Sequence, residues 1–112
     1  MQSRQSRTEV LPGTLDLLLL KALSLEPMHG FGVGKRLEQI TGGAFRVNAG
    51  SLFPALHGLE ERGWIRGEWG RSDNNRRARY YRLTPAGRRR LVQQADRFRR
   101  TVSNVLLVLE ST

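Results

Sequence analysis

Arginine dominates the chemistry open to this chain. Between Arg66 and Arg100, twelve arginines stand against Glu68, Asp73 and Asp96, so this stretch alone carries the +9 net charge of the 112 residues. Elsewhere basic and acidic side chains cancel. Of the nineteen basic residues only Lys21 and Lys35 are lysine, and the guanidinium is the better donor fork for phosphates and guanine edges. A one-sided field suits a polyanion, with a merely solvated basic face as the alternative. Catalytic groupings are sparse. His29 and His57 lack metal-ligand spacing. Glu60 and Glu61 are adjacent, so on a helix they point to different sides and make a poor acid–base couple. Gly30-Phe31-Gly32-Val33-Gly34 fits neither phosphate-cradling glycine pattern. No enzyme activity, cofactor or metal is expected.

Composition sets the frame for these side chains. At 38% hydrophobic and 26% charged, the chain reads as one globular unit with a limited core, so a partner chain adding burial would be no surprise. The absence of cysteine excludes disulfides and thiolate metal sites and fits a reducing cytoplasm, the expected location. No apolar run reaches membrane-spanning length. Residues 1–9 are polar, lack the apolar core of a signal peptide and read as a flexible N-terminal arm.

The elements that must position the arginines follow from periodicity. Thr14 can cap a helix to about Leu25, with Leu15, Leu18, Leu19, Ala22 and Leu23 on one stripe. Leu17 and Leu20 lie off that stripe, which makes the helix apolar nearly all round and offers a side to a second subunit. A second helix spans roughly Gly30 to Ile40, and Phe45-Arg46-Val47 suits a short strand. A third helix spans about Gly50 to Arg62. Leu52, Leu56 and Leu59 face inward, and Ser51, Pro54 and His57 face outward. Pro54 is expected in its first turn, where no backbone N–H is needed. Trp64 to Trp69 and Ala78 to Leu83 read as two strands joined by a basic turn, a β-ribbon. Thr84-Pro85 starts a fourth helix running to about Glu110. Along it Leu91, Ala95, Phe98, Val102, Val105 and Leu109 repeat at spacings of 4, 3, 4, 3 and 4, a heptad seam that needs a partner. The seam meets either a second copy of the chain or the chain's own domain.

Three helices, a basic ribbon and a helical tail form a recognisable order. Helices two and three make a helix-turn-helix, whose third-helix face can enter a major groove of about 12 Å. Arg71, Arg76, Arg77 and Arg79 on the ribbon can reach phosphates or the minor groove. Ser51 and the free amides at its helix start can take a phosphate. The expected fold is therefore mainly α with a small β-ribbon: a winged helix-turn-helix DNA-binding domain over residues 10–84 and a long C-terminal dimerisation helix over residues 85–112.

The details resemble a known family. Leu11-Pro12-Gly13-Thr14-Leu15-Asp16-Leu17-Leu18-Leu19-Leu20, His29-Gly30-Phe31-Gly32, Val47-Asn48, Gly50-Ser51-Leu52-Phe53-Pro54-Ala55-Leu56-His57, Leu59-Glu60, Gly63-Trp64-Ile65 and Asn75-Arg76-Arg77-Ala78-Arg79-Tyr80-Tyr81-Arg82-Leu83-Thr84 together resemble the PadR family of bacterial winged-helix regulators, in its short form with one C-terminal helix. The resemblance covers about residues 10–95. It implies a homodimer on an inverted-repeat operator in double-stranded DNA, most often a repressor, released by a small aromatic effector. It implies Asn48, Ser51, Pro54 and His57 at the recognition helix, and Arg76, Arg77, Arg79 and Tyr80 on the wing, as DNA contacts. Leu17, Leu20 and the heptad seam are the dimerisation candidates. Trp64, Trp69 and Phe98 are the candidate aromatic walls of an effector pocket at the dimer interface, with ordinary packing as the alternative role. The competing functions are a non-specific architectural or RNA-associated binder, and a partner- or effector-binding module without DNA binding.

Overall fold

The structure is a computed structural model that describes residues 13–71 and 73–112. The arm expected at residues 1–9 lies outside the described residues. Among those described, the chain forms α1 (Thr14–Leu25), β1 (Met28–His29), α2 (Gly30–Ile40), α3 (Ala49–Glu61), β2 (Ile65–Arg71), β3 (Arg77–Leu83) and α4 (Pro85–Leu109). The sheet is antiparallel in the order β1-β3-β2. This is a winged helix-turn-helix with a long C-terminal helix. No helix of the described residues is long and apolar enough to cross a membrane.

Local signals set the helix ends. The expected cap Thr14 is instead the first helical residue of α1; the cap position is Gly13, at φ 84°. The imidazole Nδ1 of His29 caps α2 by accepting from the Gly32 N–H at 3.0 Å. At the far end of α2, the Thr41 hydroxyl donates to the Leu37 carbonyl and accepts from the Phe45 N–H. Phe45 forms an isolated bridge, and no strand spans 45–47. At the end of α3 the Gly63 and Trp64 N–H groups return to the Glu60 and Leu59 carbonyls, with Gly63 at φ 76°. That paired closure requires a left-handed residue, which glycine adopts without strain. Thr84 caps α4: its hydroxyl accepts from the Gly87 N–H at 3.0 Å and donates to the Gly63 carbonyl at 2.6 Å.

The core gathers Leu19, Leu20 and Leu23 of α1, Val33 and Leu37 of α2, Leu52, Leu56 and Leu59 of α3, and Ile65 and Tyr81 of the ribbon. Burying each of the leucines stabilises the fold by about 1.5–3 kcal/mol. Leu20, expected on an outer subunit face, is 0% exposed in this core and has no surface to offer. Successive helical residues turn by about 100°, and α1 contacts α2, α3, β3 and α4, so its off-stripe leucine is absorbed within the protomer. Leu17 stays half-buried, in a groove of about 200 Å³ shared with Gln94, Arg97, Phe98 and Thr101 of α4.

The α4 seam divides along its length: its start meets the protomer's own core and the rest is left exposed. Leu91 packs against the protomer's own core, and Ala95 is half-buried. Beyond them Phe98, Val102, Val105 and Leu109 are bare, at 40, 38, 50 and 72% exposure. Leu106, Leu107 and Val108 are exposed as well, so the last turns are apolar all round.

Candidate nucleic-acid interface

The outward face of α3 carries exposed Ser51, Pro54 and His57, opposite buried Leu52, Leu56 and Leu59. Asn48 is the N-cap of this helix, and its Oδ1 accepts from the Ser51 N–H at 2.9 Å. The side chain expected to meet DNA therefore spends its oxygen on the helix and leaves its amide NH2 facing outward from an exposed residue. The same bond takes the Ser51 amide out of the set available to a phosphate; the Ser51 hydroxyl remains on the exposed side. Helix α3 begins at Ala49, one residue before the expected start, and Pro54 falls in its second turn. A proline there cannot donate to the carbonyl four residues back. The Gly50 carbonyl thus lacks its helical donor on an exposed part of α3.

The wing is the β2–β3 ribbon and its turn, in register from Ile65↔Leu83 to Arg71↔Arg77. Asn75 holds the turn at φ 62°, a left-handed conformation that asparagine tolerates better than most residues. Arg71 Nη1 lies 3.4 and 3.3 Å from the backbone and side-chain oxygens of Asn75. Arg76 and Arg77 are exposed at the tip. The Arg77 guanidinium carbon stands 4.4 Å from the Trp69 ring centroid, so the indole face steadies a cation that still points to solvent.

Two expected DNA contacts are otherwise engaged. Arg79 Nη2 donates to Glu60 Oε2 at 2.6 Å, a half-buried ion pair between wing and α3. The hydrogen bond to Glu60 holds the guanidinium charged more firmly than usual, against the opposing effect of burial. Arg79 is a tie inside the protein in this structure rather than a free phosphate contact. Tyr80 donates its hydroxyl to the Arg71 carbonyl at 3.0 Å, and its ring meets the His29 ring edge-on at 5.6 Å. It braces the ribbon rather than reaching outward. Arg82 pairs with Glu68 at 3.2 Å. Arg66, Arg71, Arg76 and Arg77 are exposed on the ribbon and its turn.

Beside Arg79, the Tyr81 hydroxyl is pushed up from its usual range, first by burial and then by the negative charge of Glu60, with Arg79 acting the other way. The carboxylate of Glu60 also accepts from the Gly67 N–H at 3.3 Å.

Within one protomer the three aromatic residues expected to wall a pocket at the dimer interface lie apart. Trp64 packs against the core, with the guanidinium carbons of Arg62 and Arg90 at 5.4 and 4.6 Å from its ring centroid. Phe98 lines the groove between α1 and α4. Trp69 lines a separate groove of about 490 Å³ between the wing and the start of α2, whose other walls include Phe31, Phe53, Arg77 and Tyr81. They diverge because Trp64 precedes the ribbon, Trp69 lies toward its tip, and α4 carries Phe98 away along α1. Sequence reasoning missed Glu60 and the capping role of His29. Glu60 had a legible position, one residue past core Leu59 and turned toward the strand that follows.

Comparison with known proteins gives this geometry a context. A profile of the transcriptional regulator PadR-like family matches residues 19–93. A 37.1 kDa protein in transposon TN4556 of Streptomyces fradiae is 35% identical over 89 residues, which are 80% of this chain and 24% of that protein. The chain thus spans about a quarter of that relative's length. A PadR family transcriptional regulator from Eggerthella lenta is 29% identical with a TM-score of 0.78, over 89% of this chain and 85% of that one. A Streptococcus mutans protein, at 21% identity, shares the fold with a TM-score of 0.81 over 93% of each chain.

Proposed function

The chain belongs to the PadR-like family of transcriptional regulators, and from that premise we propose that it is a homodimeric, sequence-specific repressor that leaves an inverted-repeat operator when a small aromatic effector binds. The observation that carries this reading is the exposed row Ser51, Pro54 and His57 on α3, flanked by the outward arginines of the wing. Base edges are read from a helix face, and phosphates are held by cations beside it. A binder that used charge alone would need no such ordered face. The bare apolar end of α4 supports a second copy as the dimer partner, since two such seams cover each other. The groove walled by Phe31, Phe53 and Trp69 supports an effector with a planar ring, because stacked and edge-on aromatic contacts favour such ligands.

Selection of bound duplexes from a random pool by the purified protein tests the core of this reading. A two-fold symmetric consensus is the expected result. A reporter driven through that consensus should fall when the protein is expressed. Enrichment of no sequence would replace the proposal with non-specific nucleic-acid binding, and a rise in the reporter would make the protein an activator.

A further inference from the structure

We propose that Glu60 is a specificity-determining positioning residue: it ties the wing to the recognition helix at one angle, so that base reading and phosphate contact occur together on one duplex. The inference rests on the DNA-binding reading above. It starts from where Glu60 leaves α3, on the flank between the core face and the outward face. There one carboxylate oxygen, Oε2, takes a donor from each strand of the ribbon: the backbone N–H of Gly67 on β2 at 3.3 Å and Nη2 of Arg79 on β3 at 2.6 Å. Both partners of the ion pair are about two-thirds covered, at 33 and 28% side-chain exposure. A charge-assisted bond sheltered in this way is stronger and more directional than one on an open surface.

The ribbon is shaped to admit this tie. A Cβ on Gly67 would stand 2.6 Å from Arg79 Nε and 2.9 Å from its Cζ, so the guanidinium occupies space that any other residue would fill. Arg79 also lies 5.5 Å from the Trp69 ring centroid, the ring on which Arg77 rests. The tie is therefore linked through Trp69 to the outward cation at the tip. On the other edge, β1 pairs with β3 and joins the ribbon to the start of α2. Glu60 supplies the corresponding link to the helix that reads bases.

The physical consequence separates specificity from affinity. A wing that swings relative to α3 still finds phosphates on any duplex, because the backbone repeats. It no longer finds them in step with the bases under Ser51, Pro54 and His57. Glu60 also neutralises one arginine. Removing its charge releases a cation near the DNA surface, which favours every duplex and steepens the salt dependence by up to about one unit.

The test compares affinity for a duplex selected by the wild-type protein with affinity for a random duplex of equal length, across salt concentrations. Glu60→Gln should bind random DNA at least as tightly as wild type, with a steeper salt slope, while its selected-to-random ratio falls roughly tenfold. A merely structural loss would weaken both duplexes alike. Charge reversal, Glu60→Arg with Arg79→Glu, should recover most of the ratio. Gly67→Ala gives an independent break, because it displaces Arg79 while leaving α3 untouched, and the same fall in ratio is expected. An unchanged ratio in Glu60→Gln or in Gly67→Ala overturns the proposal, as does parallel weakening on both duplexes. If wild type itself prefers no duplex, the DNA-reading proposal fails first and this one falls with it.

Discussion

The carbonyl oxygen of Trp64 occupies the place where a Cβ on Gly87 would stand, and it accepts the Thr84 N–H at 3.0 Å. The first turn of α4 therefore lies directly on the backbone joining α3 to β2. A glycine inside a helix costs about 0.5–1 kcal/mol relative to alanine, and here the close approach explains it. Gly87→Ala should destabilise the protein by about 1–3 kcal/mol through overpacking, despite the better helix former. Thermal unfolding followed by circular dichroism checks this; a melting temperature at or above wild type would show that the approach can relax.

His57 stands exposed on the outward face of α3, outside the core. His57→Ala should keep its fold and dimer yet lose about 1–3 kcal/mol of preference for the selected duplex, the worth of one good base contact. Its affinity for random DNA should change little. The same consensus selected by His57→Ala, Ser51→Ala and Asn48→Ala alike would remove this face as the reader.

Arg77 rests on Trp69 and points outward at the wing tip. Arg77→Ala should weaken selected and random duplexes about equally and lower the salt slope by about one unit. A loss confined to the selected duplex, with an unchanged slope, would mark Arg77 as a base contact instead.

Val102 and Val105 lie on the uncovered part of the α4 seam, at 38 and 50% exposure. Carboxylates placed there would be buried unpaired in a dimer but harmless in a monomer. Val102→Asp combined with Val105→Asp should therefore yield folded monomers by analytical ultracentrifugation, with weakened DNA binding. Persistence of the dimer would move the interface elsewhere.

Tyr81 bears on alkaline stability. Burial and the Glu60 charge push its hydroxyl up, so the folded chain holds this proton to higher pH than the unfolded chain. The associated stability is fully present below the unfolded value near 10 and is lost as pH rises through the higher folded value. The melting temperature should fall steeply above about pH 10, and Tyr81→Phe should blunt that fall. An identical alkaline decline in the variant would assign the effect to other groups.

Much of the architecture is written in short-range patterns. The leucine stripe of α1 and the Thr84 cap with Pro85 behind it place those helices to within a residue or so. The alternating, aromatic runs Trp64 to Trp69 and Ala78 to Leu83 make the ribbon legible, and the strands found are Ile65–Arg71 and Arg77–Leu83. What escapes sequence reasoning depends on partners distant along the chain. Two residues, Met28 and His29, show no period of their own, and they become a strand only because Tyr81 and Tyr80 lie alongside. Leu20 sits off the predicted stripe, yet it is buried because elements flank α1 on more than one side. Arg79 reads as one more cation in a basic run until the fold brings Glu60 to it. The outward face of α3 was legible because one helix carries the whole row, whereas the aromatic trio lies on three separate elements that do not converge within one protomer.

The exposed cations of the wing, Arg66, Arg71, Arg76, Arg77 and Arg82, are arginines without exception. A guanidinium stays protonated throughout the range in which proteins remain folded, whereas an ammonium group can be titrated or acylated. The positive charge of the wing is consequently out of reach of lysine acylation. Its grip can be changed by the surrounding ions or by mechanics that move the charges.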